Sequence, residues 1–198
     1  MLIWTFAVVL FVVMYDKTHP KKKLFADVPY ITFLSLGVGS IFMALLLCQK
    51  NFFRKPPCNV ILLVCFTLVW SVFVASFTQD YDPDKVLMCV GLVTAMTIGL
   101  SLIGFCLKDE MYWAFGVLAT LIFAMIPMVV FVIYIPKLWL TSLLGFLGTI
   151  SVSVYIIIDT LSILQRLGTD MYVIGALYLY TDIIMLFLYV LALFGAAD

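Results

Sequence analysis

Seven apolar runs, separated by short polar breaks, occupy almost the whole chain. They cover residues 1–15, 30–48, 60–77, 86–107, 112–135, 138–161 and 172–194. A run near 20 residues is what a helix needs to cross the ~30 Å hydrocarbon core of a bilayer. The breaks have the composition of surface loops. Residues 16–27 are charged, with Lys21, Lys22 and Lys23 in tandem, and residues 49–57 hold Lys50, Arg54, Lys55 and two prolines. Residues 79–85 are acidic, 108–110 and 136–137 are tight turns, and 165–170 bring Arg166 and Gly168 between the last two runs. The pattern predicts an all-α membrane protein, a seven-transmembrane-helix bundle, with residues 1–198 forming one domain.

The first run is the shortest. Fifteen residues rise about 22 Å, less than the hydrocarbon thickness. A signal peptide would want a positive n-region and a small-residue cleavage site, and neither is present. We read this run as a span that is thin, tilted or clipped at its start. Alternating the loops puts Lys17, Lys21, Lys22, Lys23, Lys85 and Lys137 on one side and Lys50, Arg54, Lys55, Lys108 and Arg166 on the other. That balance sets no orientation by the positive-inside rule. Ser40 with Ala44, and Gly91 with Ala95, are small-xxx-small pairs that let helix backbones approach, and Gly145 and Gly148 make a smooth patch on the sixth run. Pro127 lies inside the fifth run, where it removes one helix hydrogen bond and predicts a kink, a candidate hinge.

Composition adds exclusions. The chain is 66% hydrophobic and 11% charged, which leaves no soluble domain to carve out. Its 11 basic residues are spread over several loops and its net charge is zero, so no nucleic-acid footprint exists. Cys48, Cys58, Cys65, Cys89 and Cys106 form no CxxC or metal pattern and read as packed apolar residues. His19 is the only histidine, which argues against a histidine-based zinc site.

Two acids break the apolar pattern. Asp159 and Asp182 lie inside the last two runs, whereas every other carboxylate falls between runs or at the C-terminus. An ionised carboxylate at the bilayer centre costs at least ~2.5–3.5 kcal/mol, so an acid placed there is a candidate site. The two runs are consecutive and joined by a short turn, hence antiparallel. Counted from Gly168, Asp159 lies nine residues before the turn and Asp182 fourteen after it. The mismatch is about 7–8 Å of helix rise, which tilt, an uneven turn or a bridging water would close. Tyr155 and Thr160 flank Asp159, and Tyr178, Tyr180 and Thr181 flank Asp182, offering hydroxyl partners that lipid lacks. Carboxyls in contact titrate as a pair and can share a proton. Protonated, they hold two helices together; deprotonated, they repel each other and attract a cation. Ca²⁺ suits them, because it prefers carboxylate and carbonyl oxygens. Asp159 and Asp182 therefore form a proton-sensitive latch and transient Ca²⁺ ligands in this reading. An intramembrane aspartyl protease would want a context such as GxGD, but Ile158 and Thr181 precede the acids. A retinal receptor is excluded by the absence of lysine in 172–194.

Several strings resemble one family. Residues 171–195 carry Ala176-Leu-Tyr178-Leu-Tyr180-Thr-Asp182-Ile-Ile, similar to the last helix of the Bax-inhibitor motif family. Tyr155-x-x-x-Asp159-Thr160 resembles the end of that family's preceding helix. Pro57-Cys-Asn59 and the apolar residues that follow resemble the start of its third helix, closest to the lifeguard and Golgi anti-apoptotic branch. The resemblance implies seven spans, a pH-sensitive calcium leak from intracellular stores gated by a transmembrane aspartate pair, and suppression of cell death. It implies no enzyme activity and no cofactor, with Ca²⁺ as the permeant ion. Expected partners are the lipid bilayer, Ca²⁺ and apoptosis-related membrane proteins, with the chain a monomer or weak oligomer in the ER or Golgi, or at the plasma membrane. The chain departs from the family at Met185, where Asn is usual, at Leu161, where Gln is common, and in the turn 168–172. It also has no Arg or Lys in 30–48 to partner the acids. These departures support an alternative: a non-conducting interaction protein that modulates cell death or trafficking of other membrane proteins.

Overall fold

The computed structural model describes residues 1–18, 30–48, 58–79, 81–106, 138–165 and 172–195. All of its regular structure is helical: α1 Leu2–Thr18, α2 Tyr30–Cys48, α3 Cys58–Thr78, α4 Pro83–Cys106, α5 Leu138–Gln165 and α6 Tyr172–Gly195. Each is apolar nearly all the way round, as a helix surrounded by lipid and other helices must be. Four contain stretches long and apolar enough to cross a membrane: Val60–Thr78, Pro83–Gly104, Ser142–Leu164 and Val173–Phe194. Leu2–Tyr15 and Tyr30–Leu45 are shorter apolar stretches. The fifth run, 112–135, with Pro127, lies outside the described residues, as does His19.

Several helices run further than hydropathy suggests. The first continues past Tyr15 through Asp16 and Lys17 to Thr18. Charged side chains do not stop a helix whose carbonyls still find partners: the Thr18 hydroxyl donates to Tyr15 O at 2.8 Å and Met14 O at 3.2 Å. Lys17 reaches Asp84 at 3.0 Å. The fourth helix starts at Pro83 rather than Val86. Proline suits the first helical position because its missing N–H has no partner there anyway. The Val86 N–H closes the first turn on Asp82 O at 3.1 Å, and Asp84 sits favourably at the positive end of the helix dipole. Helix α5 likewise extends beyond Leu161 to Gln165.

The chain forms two compact units. The first comprises residues 1–87 and 168–180. Here α3 packs against both α1 and α2. Its core holds Val9, Phe66, Trp70, Val74, Leu177 and Tyr180. Phe66 meets Trp70 and Tyr180, each at a ring-centroid separation of 5.8 Å. Trp70 lies so close to Gly39 that a Cβ there would sit 2.8 Å from Nε1, which is why α2 carries glycine at that point. The second unit comprises residues 88–167 and 181–198. Its core holds Cys89, Val93, Ile156, Ile184, Phe187 and Leu191.

Outward faces are apolar too: Ile3 is 88% and Phe33 78% exposed, the surface lipid would cover. Hydroxyls on the spans bond back to their own helix. Thr67 donates to Leu63 O at 2.8 Å, Thr97 to Val93 O at 2.8 Å and Ser153 to Thr149 O at 2.7 Å. In a medium without water this satisfies a polar group locally. Two of the small-residue pairs do not join helices as the sequence suggests. Ser40, Ala44, Gly91 and Ala95 face outward, and a Cβ on Gly91 would meet no atom within 4 Å. Small residues permit close approach without requiring it.

Candidate functional site

The second unit brings α5 and α6 side by side. Gly145 faces Leu193, Gly148 faces Tyr189, and Asp159 faces Asp182. Residue numbers fall on α6 as they rise on α5, so the pair is antiparallel. The glycines have a packing reason. A Cβ on Gly145 would sit 2.9 Å from Leu193 Cγ, and one on Gly148 would run into the Tyr189 ring. The large α6 side chains rest directly on the α5 backbone.

Further along the same seam the Asp159 and Asp182 carboxyls come within reach of each other. The mismatch in depth expected from the sequence closes through the lean of the side chains. Every Cα–Cβ bond tilts toward its helix's N-terminus. On α5 that direction leads away from the turn, and on α6 it leads back toward the turn. Asp159, nearer the turn, leans out; Asp182, farther from it, leans in. The carboxyls therefore converge.

Both acids are half-buried. Asp182 Oδ2 is buried and receives no hydrogen bond from an N–H or hydroxyl donor among the described residues. A carboxyl–carboxyl hydrogen bond requires one proton, because an ionised carboxylate only accepts. Two full charges about 4 Å apart repel by about 4 kcal/mol at an effective dielectric of 20. That exceeds what a typical hydrogen bond returns. Close approach of two carboxyls therefore favours a shared proton over two full charges. Among the described residues no three His, Cys, Asp or Glu side chains converge at the acids.

The surrounding hydroxyls divide. Tyr155, one turn before Asp159, lies close enough to both acids to feel their charge. Thr160 spends its hydroxyl on its own helix, donating to Ile156 O at 2.7 Å. Its side chain instead packs against Gly104 of α4, where a Cβ would sit 3.0 Å from Thr160 Cβ. Tyr180 leaves the expected polar shell. Two residues turn a helix by about 200°, so Tyr180 and Asp182 look in opposite directions. The Tyr180 hydroxyl meets Thr5 Oγ1 of α1 at 2.8 Å within the first unit. The Thr5 hydroxyl is itself 3.3 Å from Met1 O, which leaves Tyr180 to donate. Tyr178 and Thr181 are half-buried. Sequence reasoning missed Thr5, Gly104 and Tyr189. The i, i+2 spacing of Tyr180 and Asp182 was the available signal that one of them points elsewhere.

The chain is similar to known proteins. The family model described as "Inhibitor of apoptosis-promoting Bax1" matches residues 1–198. The chain is 33% identical to mouse (Mus musculus) protein lifeguard 4 over 170 residues, covering 85% of this chain and 69% of that one. It is 24% identical to mouse protein lifeguard 3 over 198 residues and 25% identical to the human (Homo sapiens) protein over 175. Those alignments cover 96% and 83% of this chain, and the chain spans 64% and 56% of the length of these lifeguard 3 relatives. Apolar helices of spanning length and a family match over every residue lead to one conclusion: this all-α, multi-pass integral membrane protein belongs to the Bax-inhibitor motif family.

Proposed function

We propose that the chain is a pH-sensitive calcium leak of intracellular stores, gated by Asp159 and Asp182, with an anti-apoptotic role. The observation that carries this reading is the direct contact between the two carboxyls on adjacent antiparallel helices. With a proton between them the acids join α5 to α6, and the path is closed. As pH rises the proton leaves and two negative charges face each other. The helices part there, and the exposed oxygens suit a passing Ca²⁺. Tyr155 stays beside both acids as a hydroxyl partner. Seven spans, with 112–135 as the fifth, complete the bundle in this reading. Its setting is the ER or Golgi membrane, extending to the plasma membrane, with the chain a monomer or weak oligomer beside apoptosis-related membrane proteins.

Ca²⁺ entry into proteoliposomes across a pH series tests the reading. Flux rises with pH in the wild-type chain. Asp159→Asn and Asp182→Asn each keep a hydrogen-bonding side chain without the charge, so each gives low flux at every pH. Flux indifferent to pH and to both substitutions would sink the proposal. A second reading rests on Met185, the altered turn 168–172 and the absence of a basic residue in 30–48. It makes the chain a non-conducting protein that modulates cell death or trafficking through partners. No flux at any pH, together with a reproducible membrane-protein partner on pull-down, favours it.

A further inference from the structure

The seam between α5 and α6 has two chemically different ends. At one end Tyr189 rests on Gly148 and Leu193 lies against Gly145. These contacts are apolar and backbone-close. At the other end stands the acid pair. Gly148 and Asp159 are eleven residues apart, about 16 Å along the helix. We propose that the glycine seat is a fulcrum: when the acid pair separates, α5 and α6 part only at the Asp159–Asp182 end and stay closed at Gly148–Tyr189. This rests on the acid pair acting as the gate.

Three observations support a hinge over a parallel separation. First, the forces differ along the seam. Removing a proton changes the acid end by a charge–charge repulsion that weakens with distance. Second, among the described residues the glycine end holds no carboxyl that could take up or release a proton. Beside the acids, the ionisable side chains of α5 and α6 among the described residues of this unit are Tyr155 and Tyr189, and a free tyrosine stays neutral to about pH 10. The α4 segment 88–104 of this unit holds Cys89 and no Asp, Glu, Lys, Arg or His. Third, the seat is filled without slack. Lifting the Tyr189 ring off Gly148 forfeits close contacts that lipid does not replace at the same density. A tilt of about 10° about Gly148 would part the acid end by about 3 Å, enough to break a hydrogen bond while the seat stays in contact.

Spin-label distances read the motion directly. The background replaces the five native cysteines by serine or alanine. One reporter pair, Leu164→Cys with Met185→Cys, brackets the acid end; a second, Phe146→Cys with Ala192→Cys, brackets the glycine end. In lipid nanodiscs the acid-end distance lengthens and broadens as pH rises, and the glycine-end distance stays constant. Adding Asp159→Asn abolishes the acid-end change. Gly148→Leu, which forces the Tyr189 ring off its seat, widens the glycine end at every pH. Equal lengthening at both ends, or a pH response at the glycine end alone, overturns the fulcrum. No change at either end alongside pH-dependent flux also overturns it and leaves the leak reading intact. The expected distance changes without any flux support the fulcrum and remove the leak.

Discussion

Helix α6 takes part in two polar contacts that differ in charge, one buried and one half-buried. Tyr180 meets Thr5 at 2.8 Å in the first unit, and Asp182 meets Asp159 in the second. Both answer the same problem, a polar group where water is scarce. The hydroxyl pair has a stable answer, because neither partner ionises near neutral pH and the donor always has its proton. The carboxyl pair is conditional, since it needs a proton that solution can withdraw. In the proposed reading one contact is an anchor and the other a switch, and two residues of sequence separate them.

The sharpest way to break this comparison is to leave one acid alone. Asp159→Leu strands Asp182 without its partner, whereas Asp159→Leu with Asp182→Leu removes both polar groups. The double variant should be more stable than either single one by about 1–3 kcal/mol, read from thermal unfolding in detergent. A double variant less stable than both singles would mean that the acids do not depend on each other. The anchor should behave differently. Tyr180→Phe or Thr5→Val removes one neutral hydrogen bond, at a cost of about 1 kcal/mol. That loss should be the same in mildly acidic and mildly alkaline buffer, and the two substitutions together should cost little more than one. A pH-dependent loss would contradict the assignment as an anchor. The smallest effect belongs to the exposed ion pair of Lys17 and Asp84, whose side chains are 54% and 88% exposed. Asp84→Asn should cost under about 1 kcal/mol and nothing measurable in high salt.

Much of this architecture is readable from hydropathy. Helix α2 occupies the run 30–48, and α6 extends only one residue beyond its run. Helix ends are harder, because Asp16, Lys17, Pro83 and Asp84 are typical of loops in composition and are helical in fact. What decides them is partner geometry, which composition does not encode. Asp159 and Asp182 stand out in the sequence because carboxylates in apolar runs are rare. Their convergence does not, since counting residues from a turn ignores the N-terminal lean of each side chain. Tyr180 was misassigned for a related reason: proximity in sequence to Asp182 placed it near the acids, while helix periodicity turns it toward Thr5. Among the glycines, Gly148 and Gly91 look alike in sequence, yet one supports an aromatic ring and the other faces outward. Only the packing partner distinguishes them.

The central claim is that Asp159 and Asp182 act as one proton-holding unit. The most direct test measures Ca²⁺ flux against pH for the wild-type chain, Asp159→Asn, Asp182→Asn and the double variant, side by side in the same vesicles. A single unit predicts a rising profile for the wild type and one shared flat profile for the other three, with no further loss in the double variant. Two partial losses that add in the double variant, or a single variant that keeps the wild-type profile, would contradict it.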